Sequence, residues 1–214
     1  MSCKLRHLGA VGLNITDETL RGLAGAPVVT LSASRCSAVT NVAPVAATLR
    51  KLDASGRCGI DDAGLAQATR IEYLHATNNR RIRTVAPFAP SLRKLLACVN
   101  CGIDDAGLAL ATRIEVLFAT HNGKICTVSP FAASLRVLFA DEGCGINDAG
   151  LLRATRIEHL HARNNPGIRT VAPFAQTLLK LATNLEKLCA WGNRNISRSA
   201  INVPSTSSSS STSS

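Results

Sequence analysis

The chain repeats itself with a period of 43 residues, and that repetition limits the fold before any local structure is considered. The stretch from Leu49-Arg50-Lys51-Leu52 to Ser91 recurs from Leu92 and again from Leu135. Cys58, Cys101 and Cys144 each open a Cys-Gly-Ile-(Asp/Asn)-Asp-Ala-Gly-Leu phrase, and Phe88, Phe131 and Phe174 each sit in (Ala/Ser)-Pro-Phe-Ala. Each period divides into rungs of 22 and 21 residues that open alike: Leu49-x-x-Leu52-x-Ala54 with Ile60, then Ile71-x-x-Leu74-x-Ala76-x-x-Asn79-x-x-Ile82. The same frame fits starts at Leu5, Val28, Leu92, Ile114, Leu135, Ile157 and Leu185. A rung this short cannot bury its apolar side alone, so rungs must stack.

Stacking predicts one short strand per rung, with positions one, four and six inward and positions three, five and seven outward. Aromatic residues make up only 3% of the chain, which suits a thin interior lined by the column Ala54, Ala76, Ala97, Ala119, Ala140 and Ala162. Phe88, Phe131 and Phe174 are expected to form an internal spine. Cys36, Asn79, Asn122, Asn165 and Asn193 share the ninth site, where a side chain is expected to bond neighbouring backbone. Asp62, Asp105 and Asp148 precede Ala-Gly-Leu and are expected to cap a short helix. Pro87, Pro130 and Pro173 favour an extended or 3₁₀ turn on alternate rungs. The frame blurs between Leu178 and Leu188, which reads as an insertion before a last rung from Leu185. The solenoid is thus expected over 1–203 in about nine rungs, with a disordered Ser/Thr-rich tail over 204–214.

Charge follows the same frame. Lys and Arg number 24 against 14 Asp and Glu, a formal charge of +10. Second positions alternate as Arg50, Glu72, Arg93, Glu115, Arg136 and Glu158, which predicts a ladder of opposite charges across neighbouring strands. Asp61, Arg83, Asp104, Cys126, Asn147 and Arg169 form a second column that sets which rung stacks on which. The remaining basic residues are scattered, with one small cluster at Arg80-Arg81-x-Arg83 and no interleaved aromatics. Nucleic acid is therefore not the expected partner.

The outward columns locate the candidate site. Fifth positions read Ser32, Asp53, His75, Leu96, Phe118, Phe139, His161 and Cys189, and third positions include Tyr73, Lys94, Val116, Val137 and His159. Tyr73, His75, Leu96, Val116, Phe118, Val137, Phe139 and His161 are expected to form an apolar patch with polar edges, with Trp191 at a seventh position near its end. Such a patch points to a protein partner. No catalytic residues, metal site, cofactor or small-molecule substrate is indicated. His159 and His161 with Asp141 form a thin case for a metal, and Cys98-Val99-Asn100-Cys101 lacks the second pair that a zinc site needs. No stretch is long and apolar enough to cross a bilayer, and the start carries no secretory h-region, so an intracellular, cytoplasmic setting is expected.

The frame LxxLxLxxNxxI resembles the leucine-rich repeat. The Cys-Gly-Ile-Asp-Asp-Ala-Gly-Leu rungs resemble its cysteine-containing subtype, and their alternation with Val-Ala-Pro-Phe-Ala rungs is similar to repeat families of protozoan parasites. The resemblance implies a right-handed α/β solenoid with strands on the concave face and short helices or 3₁₀ turns on the convex face. It also implies a non-enzymatic binding scaffold. Two alternatives accompany it: a substrate-recognition subunit of a ubiquitin ligase, the role in which the cysteine-containing subtype is common, and a weak nucleic-acid-binding module.

Overall fold

The computed structural model describes residues 5–174 and 188–189. Over these residues the chain is an α/β solenoid. Its single parallel sheet comprises β1 (His7–Gly9), β2 (Thr30–Ser32), β3 (Lys51–Asp53), β4 (Tyr73–His75), β5 (Lys94–Leu96), β6 (Val116–Phe118), β7 (Val137–Phe139), β8 (His159–His161) and β9 (Leu188–Cys189). Strand order equals chain order, so each rung touches only its neighbours. Register is kept throughout: Leu31, Leu52, Leu74, Leu95, Leu117, Leu138 and Leu160 meet one another across successive strands. Leu188 lies opposite Leu160, the pairing that the frame from Leu185 requires. Trp191, Asn193 and the tail over 204–214 lie outside the described residues.

Two kinds of rung alternate on the side opposite the sheet. One carries a short helix: α1 (Asp17–Arg21), α2 (Asp62–Leu65), α3 (Asp105–Leu108) and α4 (Asp148–Leu151). The other carries a 3₁₀ turn at Ala43–Val45, Ala86–Phe88, Ser129–Phe131 or Ala172–Phe174, each with proline next to its first residue. Pro44 therefore joins the three prolines already noted, with Val45 in the place of phenylalanine. Phe88 and Phe131 are fully buried and fill the interior beside the Ala column, which is also without solvent contact.

The helix caps lie one residue earlier than expected. Asp61, Asp104 and Asn147 accept the backbone N–H of Gly64, Gly107 and Gly150. They thus serve their own helices rather than a charge column. Asp62, Asp105 and Asp148 instead reach the next rung: Asp62 Oδ1 accepts from the N–H of Arg83 at 2.8 Å and of Thr84 at 3.1 Å. Asp105 does the same for Cys126 and Thr127, and Asp148 for Arg169 and Thr170. The N-terminal Asp17 repeats the pattern on Thr40 and Asn41. A carboxylate held by two N–H groups of a neighbouring rung is a stronger tie than an exposed ion pair.

The second-position charges pair in twos instead of forming one continuous ladder. Arg50 bonds Glu72 at 2.6 Å, Arg93 bonds Glu115 at 3.1 Å, and Arg136 bonds Glu158, while Glu72–Arg93 and Glu115–Arg136 are not ion-paired. Each pair thus sits within one 43-residue period.

The ninth site works as expected. Asn79 Nδ2 donates to the carbonyls of Ala54 at 2.9 Å and Ile60 at 3.2 Å, and its Oδ1 accepts from Arg81 N–H. Asn122 and Asn165 make the same bonds one and two periods on. Cys36 Sγ lies 2.8 Å from the Ala10 carbonyl, donating where the amide does elsewhere. Just before this site the backbone turns left-handed in successive rungs, at Gly12, Arg35, Gly56, Asn78, Val99, His121, Glu142 and Asn164.

Two substitutions test this account. Gly107 lies inside α3, where alanine ordinarily gains about 1 kcal/mol in helix propensity. A methyl group there would overlap the carbonyl oxygen of Arg83 on the preceding rung. Gly107→Ala is therefore expected to lower the urea midpoint; a rise would show that rung contact is looser than described. Val99 is β-branched with φ at 58° and is largely exposed. Val99→Gly is expected to raise stability by about 1 kcal/mol through relief of strain, against the usual cost of glycine.

Candidate binding surface

Strand alternation sends the third and fifth positions to the outer face of the sheet, and register stacks them into columns. His75, Leu96, Phe118, Phe139 and His161 succeed one another on β4 to β8. The expected patch therefore exists as a contiguous surface, but it is half-buried rather than fully open. The reason is ring stacking. Phe118 and Phe139 lie 4.2 Å apart between centroids with planes 7° from parallel, and Phe139 and His161 lie 4.0 Å apart at 14°. Each ring covers its neighbour and shows solvent mainly an edge. The strand spacing of about 4.8 Å imposes this arrangement on any in-register aromatic column.

Val116 and Val137 pair beside this column, also half-buried. Lys94 closes its other end: its Nζ lies 5.5 Å from the Phe118 centroid and 5.6 Å from that of Tyr73. The ammonium joins Tyr73 to the stack as a cation over two ring systems. Lys94 is a member of this surface that the apolar pattern alone does not pick out. The signal for it was its place in the third column between Tyr73 and Val116.

His75 belongs to a polar cluster rather than to the apolar patch. Its Nδ1 lies 3.3 Å from Asp53 Oδ1, and the same oxygen accepts the Ser55 N–H at 3.0 Å. Ser55 Oγ bonds Ser34 Oγ at 2.9 Å. Burial pushes the Asp53 carboxyl up, but the bonds from His75 and from Ser55 outweigh it and bring the group down to about 2. Asp53 and His75 stand side by side in the fifth column, and their pairing is a finding of the structure.

His161 is engaged in the ring stack, and Asp141 Oδ1 accepts the Arg163 N–H at 2.7 Å. Among the described residues, no group of three His, Cys, Asp or Glu side chains could hold a metal ion. Cys98 is half-buried at a seventh position, whereas Cys101 belongs to the interior column with Cys58 and Cys144. Burial pushes the thiols of Cys58 and Cys101 up to about 11 and that of Cys144 up to about 12, so they stay protonated at neutral pH. No helix among the described residues is long and apolar enough to cross a membrane.

No known protein-family model matches the chain, and no curated protein matches it.

Asp53 sets an acid limit. Its folded-state value lies near 2, below the ordinary 3.8, so its contribution is complete above pH of about 4 and is lost as pH falls towards 2. Asp53→Asn should flatten the loss of stability measured by urea unfolding across that interval. An unchanged slope would place the acid sensitivity elsewhere.

Proposed function

We propose that the chain is a non-enzymatic, leucine-rich-repeat-type scaffold that binds a partner protein through the outer, concave face of its sheet. The observation that carries this reading is the stack of Phe118, Phe139 and His161, with Val116 and Val137 alongside. A stacked column on short parallel strands is rigid before binding, so little rotamer entropy is lost when it docks. Aromatic anchors at the centre of a patch with polar edges are the usual hot spots of protein interfaces. The same geometry disfavours a nucleic-acid platform, because bases need open ring faces and these faces already cover one another. Free thiols at Cys36, Cys58, Cys98, Cys101, Cys126 and Cys144 fit an intracellular, cytoplasmic setting.

Phe118→Asp combined with Phe139→Asp removes the ridge while leaving every inward side chain in place. Affinity capture from cells, with wild type and double variant side by side, is expected to lose its retained partner in the variant. Far-ultraviolet circular dichroism should be unchanged. Equal capture of the same partner by both chains would overturn the concave-face reading.

A further inference from the structure

A second surface departs from what the repeat requires. Just past the ends of β2 to β5, a groove of about 590 Å³ is lined by Ser37, Arg57, Asn78, Arg80, Arg81 and Asn100 among others. No carboxylate lines it. Arg57, Arg80 and Arg81 are exposed and take part in no ion pair among the described residues. Three arginines thus border one concavity, and none of them is ion-paired among the described residues. Asp61 and Asp62 lie in an adjoining hollow of about 260 Å³ with Arg81 and Arg83. Backbone N–H groups of Gly64, Arg83 and Thr84 fix both carboxylates in place, and their charge stays on that side of Arg81. The Cys58 thiol at the groove wall is kept neutral by burial.

Rung stacking does not demand these arginines. The site of Arg57 is Asn100 and Gly143 one and two periods on, and Arg80-Arg81 becomes Gly123-Lys124 and then Pro166-Gly167. The turn that carries Arg80 and Arg81 is nevertheless firmly placed. Asn79 fixes it by accepting from Arg81 N–H and donating to the carbonyls of Ala54 and Ile60. The Arg80 carbonyl packs so close to Gly102 of the next rung that a methyl group there would be crowded at 2.6 Å. A fixed backbone that carries several arginines without ion pairs to one concavity suits recognition of phosphate by paired N–H donors.

We propose that this groove binds a small molecule bearing two or more phosphoryl groups, held by Arg57, Arg80 and Arg81, with Asn78, Asn100 and Ser37 bonding its neutral polar groups. The groove's volume is that of a small-molecule site, and its polar lining suits a charged ligand. This site lies apart from the concave face and does not depend on what binds there.

The test is isothermal titration of the full chain with inorganic pyrophosphate at physiological salt. Wild type should bind, and loss of each arginine's charged hydrogen bonds should cost roughly tenfold in affinity or more. Arg80→Gln with Arg81→Gln should therefore weaken binding by roughly a hundredfold, Arg57→Gln by roughly tenfold. Lys124→Gln, one period away, should leave binding unchanged. Circular dichroism of every variant should match wild type, since the substituted side chains are exposed and unpaired. Absence of pyrophosphate binding by wild type overturns the proposal, as does an equal loss in the Lys124 variant. A chain that takes up oligothymidylate but not pyrophosphate overturns it in favour of nucleic acid; uptake of a glutamate-rich peptide alone overturns it in favour of an acidic protein.

Discussion

The parallel backbone ladder fixes everything else in this solenoid. Because each strand meets the next in the same register, a residue's neighbours are its own counterparts one rung away. Interior leucines, alanines and isoleucines therefore form columns instead of a jigsaw of unlike shapes. A slip of one residue would turn each inward leucine towards solvent, so the burial of Leu52, Leu74, Leu95, Leu117 and Leu138 holds the register that creates it. The ninth-site asparagines satisfy the buried carbonyls left where β3, β5 and β7 end, and do so across the rung boundary. Hydrophobic burial and polar satisfaction thus act on the same contacts.

Much of this was legible in the sequence because a solenoid writes its geometry as a period. Strand positions, the Ala column, the Phe spine at Phe88 and Phe131, and the bonding role of Asn79, Asn122 and Asn165 all follow from the frame. The tandem acids were harder. Asp61 and Asp62 are chemically equal in sequence, and only the rung-to-rung distance shows which one caps the helix and which one reaches forward. The pairing of Arg50 with Glu72, but not of Glu72 with Arg93, is likewise a matter of geometry that alternating signs do not contain.

The surface was legible in outline and not in kind. Placing Phe118, Phe139 and His161 in one column required only the period, but their mutual coverage depends on ring planes 7° and 14° from parallel. The Asp53–His75 pair occupies the same column and changes its character from apolar to polar over two rungs. The basic groove was visible only in fragments. Arg80 and Arg81 are adjacent in sequence, whereas Arg57 arrives from the preceding rung and lies 23 positions earlier than Arg80. Charge counted along the chain spreads these residues out; the fold gathers them.

The alternation of helix-bearing and 3₁₀-bearing rungs has a consequence for how such an array can lengthen. Each helical rung offers two unlike sides. Backwards, Gly64, Gly107 and Gly150 lie against carbonyls of Thr40, Arg83 and Cys126; forwards, Asp62, Asp105 and Asp148 grip the backbone of the following 3₁₀ rung. Duplicating or deleting one rung alone would set like against like and break the alternation on which these contacts rest. The alternation is kept when rungs are added or removed two at a time, so the 43-residue repeat length records the spacing of a joint rather than the size of a building block.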